Sequence, residues 1–95
     1  IMIVFIEHFL NEEGRSFFPT WISKARTVMA NVEGFGSIVQ LSSVNQEERT
    51  VLMMQFANLD NLKSWAASEG HAQLLELLKS FMLKKQQTQL FEINE

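Results

Sequence analysis

The side chains of this 95-residue sequence best suited to acid–base work near neutral pH are its histidines. There are two histidines, His8 and His71, and no cysteine, so disulfides, thiolate metal sites, iron–sulfur clusters and thiol nucleophiles are excluded. Imidazole acid–base chemistry and hydrogen bonding from amide and indole groups remain.

His8 lies on an otherwise aliphatic strand face with Val4, Ile6 and Leu10. It reads either as a buried structural histidine bonded to backbone or as an acid–base group on the floor of a pocket. Desolvation there favours the neutral imidazole, the form a base needs. His71 falls in the first turn of a helix whose same side carries Leu74, Leu75 and Leu78. The partial positive charge of a helix N-terminus disfavours imidazolium, leaving a neutral base or a capping residue. Asn61 and Trp65 are four residues apart on one helical face and can point into one cavity. There the amide and the indole N–H would donate hydrogen bonds to substrate oxygens, although a helical Trp also serves as core. Phe17 and Trp21 on an earlier helix are candidate substrate contacts, and Lys85 is a further one.

Other chemistries find no support. A metal site needs three or four converging ligands, and the acid nearest His8, Glu7, points to the opposite strand face. Met53-Met54 reads as core filling. No phosphate-cradling glycine loop and no Ser-His-Asp arrangement occurs. Net charge is −3 and the eight basic residues are dispersed, unlike the concentrated positive face of a nucleic-acid binder. The segment Glu33-Gly34-Phe35-Gly36-Ser37-Ile38-Val39 superficially resembles an RNA-binding RNP1 motif. It has Glu33 where a basic residue belongs and Ser37 where a stacking aromatic belongs, and it enters the second strand rather than the third. No nucleic-acid partner is expected.

The elements that must position these residues follow from hydrophobic period and turn chemistry. Ile3 to Leu10 is a strand ended by Asn11-Glu12-Glu13-Gly14. Ser16 can cap a helix with Pro19 in its first turn. Phe17, Trp21, Ala25, Val28 and Val32 recur along that helix, beside Phe18, Ile22 and Met29, and Gly34 stops it. Ser37 to Ser43 and Thr50 to Phe56 are strands joined by a polar connection. Asn58 can cap a helix from Leu59 to Ala67, and Ser68-Glu69-Gly70 interrupts it. A further helix runs through Leu74, Leu75, Leu78 and Met82, and Gln86 to Ile93 closes as a strand.

The order predicts an α+β, ferredoxin-like βαββαβ domain over residues 1–95, one antiparallel sheet with helices on one face. Apolar residues make up 46% and charged residues 20%, against about 25% charged in an average domain, so the chain is globular and not disordered. The strands are apolar on both sides: Ile3, Phe5 and Phe9 lie opposite Val4, Ile6 and Leu10. Exposed, the second face would cost about 25 cal/mol per Å². A homodimer packed sheet to sheet is therefore expected. Ile1 ahead of Met2 suggests a natural start at Met2, and Ile1-Met2-Ile3-Val4 reads as strand rather than signal peptide. With no apolar run near about 18 residues, no membrane span is expected and the expected location is cytoplasmic.

Several of these residues also carry a resemblance to the antibiotic biosynthesis monooxygenase family, covering Met2 to Ile93. It rests on the Gly34-Phe35-Gly36 turn into the second strand, on Phe56-Ala57-Asn58 leading to Leu62-Lys63-Ser64-Trp65, and on the break Ser68-Glu69-Gly70-His71. The Trp followed six residues later by a His is its most distinctive piece. The resemblance implies a dimeric α+β barrel with a small-molecule pocket between helices and sheet. Members oxidise polycyclic phenols or hydroquinones with O₂ and no cofactor, while others degrade haem, isomerise small metabolites or have no known activity. Asn61 and Trp65 match an Asn and a Trp of the anthrone-oxidising pocket, His71 falls where those enzymes have a Tyr, and Lys85 where they have an Arg. The chain has no tyrosine, so a phenol-mediated mechanism is excluded. Haem degradation is disfavoured, because Leu75 stands at the iron-ligand position and His8 at that of a strand Asn.

The expectation is thus a cofactor-independent monooxygenase acting on a small aromatic or quinol substrate, with no metal. His71 first and His8 second would take a phenolic proton, and Asn61 and Trp65 would stabilise negative charge on oxygen. A non-catalytic small-molecule-binding dimer and an isomerase-type enzyme are the alternatives.

Overall fold

The computed structural model describes residues 1–94. In chain order it contains β1 (Met2–Leu10), α1 (Glu12–Met29), β2 (Phe35–Leu41), β3 (Thr50–Phe56), α2 (Leu59–Ala66), α3 (Glu69–Leu78), a single 3-10 turn (Lys79–Phe81) and β4 (Met82–Glu92). The strands form one antiparallel sheet in the order β2-β3-β1-β4. This is the expected ferredoxin-like α+β arrangement. No helix among the described residues is long and apolar enough to cross a membrane.

Helix α1 starts earlier than Ser16. Asn11 is its cap, accepting a hydrogen bond from the Gly14 amide at 2.9 Å, and Glu12 and Glu13 sit where the helix dipole favours carboxylates. Gly14 reads as a breaker in sequence, yet its role is close approach: a Cβ there would lie 2.6 Å from Phe81 Cβ. The Asn11 amide donates to the Phe81 carbonyl at 2.9 Å, locking the start of α1 against the turn that feeds β4. Pro19 is therefore interior to the helix rather than in its first turn. The buried stripe is Phe18, Trp21, Ile22, Ala25 and Met29, one step round from Phe17 and Val28. Both arcs are apolar, so periodicity alone could not choose between them.

The helix ends at Met29, before Gly34. Gly34 instead closes the turn into β2 with φ of 78°, a conformation that strains other residues. Strand β2 thus runs from Phe35 to Leu41 rather than from Ser37 to Ser43. The last helix stops at Leu78 and β4 begins at Met82, four residues ahead of Gln86. Leu10 pairs with Met82 and Phe9 with Lys84, so sheet pairing overrides the helical apolar pattern at Met82. Two register shifts accompany this pairing, and one leaves Lys85 and Gln86 together opposite His8.

Helices pack on one face of the sheet, where Val4, Leu10, Ile38, Leu52, Met54 and Phe56 form the core with the α1 stripe and with Leu62, Trp65, Leu74 and Leu78. The opposite face carries Phe5, Val39, Leu41, Val51, Met53 and Phe91. Phe5 and Phe91 meet edge to face at 5.6 Å, and Phe91 remains half-exposed. On the same face Glu7 accepts two hydrogen bonds from Arg49, at 2.8 and 2.9 Å. That guanidinium holds the Glu7 carboxyl below its usual range.

Candidate functional site

Between the helices and the sheet lies a cavity of about 320 Å³, within the range of small-molecule pockets. All seven regular elements contribute to its wall. Ile6 and His8 form part of the floor, Trp21 and Met29 the α1 side, and Trp65 and His71 the side made by α2 and α3. The edge strand β4 adds Gln86, Thr88 and Leu90, and Leu90 is 51% exposed, so this side is thinly covered.

His8 faces the cavity because strand alternation places it with Val4, Ile6 and Leu10 on the helix side. It is 3% exposed, and neither ring nitrogen has a hydrogen-bond partner. Its ring lies 5.4 Å from Phe18 and 5.6 Å from Trp21. Burial in these surroundings pushes the imidazole down to about 4. The reading of His8 as bonded to backbone is therefore overturned. Trp21 stacks on Phe18, and its indole N–H donates to the Leu74 carbonyl at 2.7 Å, pinning α1 to α3. Trp21 thus offers a ligand its ring and no free donor.

The α2–α3 break positions the second pair. Ser68 caps α3 by accepting from the His71 amide at 3.2 Å while its hydroxyl donates to the Trp65 carbonyl at 2.6 Å. One serine thereby sets the geometry on both sides of the break. Trp65 is 4% exposed, and its ring meets His71 edge to face at 5.5 Å. His71 is half-buried; desolvation lowers its pKa, and the Ala66 backbone draws it partly back.

Three sequence-based site residues stand outside this wall. Asn61 does not share the cavity with Trp65; its side chain packs against the Gly34 turn, filling the space that a Cβ at Gly34 would need. Helical spacing put Asn61 and Trp65 on one side, but the tertiary contact with a turn 27 residues earlier claims the amide. Phe17 packs against Phe81 at 5.7 Å, away from the cavity, as the stripe's offset requires. Lys85 is exposed, and at the bulge opposite His8 it is Gln86 that lines the cavity. Sequence reading missed Gln86 and Thr88; the alternation Gln86-Thr88-Leu90 was the available signal, hidden by the bulges before it. Among the described residues, no three His, Cys, Asp or Glu side chains cluster as a metal site.

The arrangement offers an apolar box with two desolvated imidazoles in its wall. Such a box can hold a flat apolar molecule, exclude water from it, and accept or donate a proton at one oxygen.

No family model matches the chain, and no curated protein matches it. Solved structures do. A protein from Deinococcus radiodurans named as an antibiotic biosynthesis monooxygenase superposes with a TM-score of 0.85 at 14% identity, covering 100% of this chain and 94% of that one. A conserved protein from Methanosarcina mazei Go1 gives 0.85 at 12% identity, over 98% and 92%. SnoaB, a cofactor-independent oxygenase from Streptomyces nogalater, gives 0.78 at 15% identity, over 99% and 94%. The chain therefore shares, over nearly its whole length, the fold of structures that bear antibiotic biosynthesis monooxygenase names.

Proposed function

We propose that this protein is a cofactor-independent monooxygenase acting on a small aromatic or quinol-type substrate. The observation that carries the reading is the pairing of an apolar cavity between helices and sheet with a partly desolvated imidazole, His71, held against Trp65 in its wall. The fold it shares with SnoaB adds support.

Magnitudes divide the roles of the two histidines. Protonating His8 at pH 7, with its pKa near 4, costs about 4 kcal/mol. His71, less buried and beside the Ala66 backbone, bears a proton more cheaply and is the base. It takes the phenolic proton, and the resulting anion passes one electron to O₂. Recombination of the substrate radical with superoxide at the activated carbon forms a C–O bond. Return of the proton gives a hydroperoxide; loss of the hydrogen on that carbon as the O–O bond breaks releases water and leaves a carbonyl, so one oxygen atom enters the substrate and the other leaves as water. Trp65 and the apolar wall keep this sequence away from bulk solvent.

We also propose that a second copy of the chain covers the free sheet face, making the dimeric barrel. Support comes from the apolar band around Phe5, Val39 and Met53, which none of the helices covers.

The test is O₂ uptake by metal-free protein with a panel of anthrones and hydroquinones, against heat-denatured protein. Uptake above control and insensitive to chelator is expected. Uptake equal to control across the panel, with retained binding of aromatic probes, would instead favour the non-catalytic binding dimer.

A further inference from the structure

We infer that His8 is the ligand anchor of this cavity, and that the ligand it selects carries an uncharged hydroxyl at its buried end. The inference rests on the cavity being the ligand site, as proposed above, and concerns which molecules it admits.

His8 breaks a rule that the rest of the molecule obeys. Among the described residues, its two ring nitrogens are the only buried side-chain polar atoms without a hydrogen-bond partner. Native proteins rarely leave such atoms unpaired, because each forfeits the bonds it made with water. Both nitrogens sit in a wall otherwise built here from Phe18, Trp21 and aliphatic side chains. The Trp21 N–H is already committed to Leu74. Across the strand pair, the bulge that leaves Lys85 and Gln86 opposite His8 brings Gln86 to the same cavity, yet the two side chains do not bond to each other. Bulges of this kind re-aim side chains next to functional sites.

A neutral imidazole has one donor and one acceptor. A hydroxyl is the smallest group that can use either nitrogen, and it needs no counter-ion. A carboxylate could use only the donor and would place an unpaired charge against the aromatic wall. His8 therefore acts as a positioning residue. It holds one oxygen of the ligand while His71, on the side formed by α2 and α3, addresses another part of the molecule.

The probes are 2-naphthol and naphthalene, which share a ring system and differ by one hydroxyl. Dissociation constants are measured by calorimetry or by quenching of Trp fluorescence. The intact protein is expected to bind 2-naphthol about tenfold more tightly, although water solvates it better. In ¹⁵N-labelled protein the His8 ring nitrogens should shift on adding 2-naphthol and stay in place with naphthalene. His8→Leu should erase the preference and bind naphthalene at least as well as the parent. Naphthalene bound as tightly as 2-naphthol by the intact protein overturns the role of His8 and leaves the cavity reading standing. Binding of neither probe overturns both. The comparison on intact protein and the ring resonances decide the matter even if His8→Leu does not fold.

Discussion

His71 and Trp65 flank the break between α2 and α3 and meet edge to face, 5.5 Å apart at 77°. Ser68 bonds to the backbone of both, so the two residues are brought together by the local geometry of the break, while core packing holds the Trp65 ring. His71 is half-buried at the wall, so its imidazole can be removed without collapsing the cavity.

For that reason His71→Ala should reduce kcat for O₂ uptake by about 100-fold or more, while probe affinity changes by less than about threefold. Parallel turnover and binding titrations check this. Equal loss of both would make His71 a binding residue.

The buried His8 gives a pH signature. Its folded pKa near 4 lies below the ordinary value near 6.5, so the unfolded chain takes up a proton that the folded chain refuses. The corresponding stability is fully present above pH 6.5 and is lost as pH falls toward 4, by about 3 kcal/mol at most. His71 contributes in the same direction. Urea unfolding at pH 4.5 and 7.5 should therefore show a smaller pH dependence in His8→Leu than in the parent.

Gly34→Ala meets two obstacles at once, a φ of 78° and the Asn61 side chain. A loss of about 2 kcal/mol or more is expected in thermal or urea unfolding. Asn61→Ala should relieve part of it in the double variant. Alone, Asn61→Ala should leave probe binding within about threefold of the parent, because the amide lies outside the cavity.

The free sheet face predicts assembly. Light scattering should give twice the chain mass, and Phe5→Glu, placing a charge amid Met53 and Phe91, should give the single-chain mass. An unchanged mass in the variant would locate the contact elsewhere.

Local rules made much of the fold legible. Alternation sorted β1 into Val4, Ile6, His8 and Leu10 on one side and Phe5 and Glu7 on the other, and Ser68-Glu69-Gly70 marked a true helix break. What escaped was tertiary. Gly14 looks like a turn residue, and only the approach of Phe81 reveals that it belongs inside α1. Asn61 satisfies helical spacing to Trp65, yet Gly34 captures it. The paired bulges in β4 shift its register against β1, so the cavity places of Gln86 and Thr88 could not be counted forward from Met82. The cavity lining was legible where one element decides direction, as at His8 and Trp65, and illegible where two elements do.

Because every strand and every α-helix places at least one side chain in the cavity wall, no fragment of the chain contains the site, and a bound molecule reports on the whole fold. A ligand present at 100 times its Kd adds about 2.7 kcal/mol to global stability. In a chain of this length that raises the melting temperature by about 10 °C or more. A molecule that fills the cavity should thus reveal itself in a metabolite library by thermal shift alone.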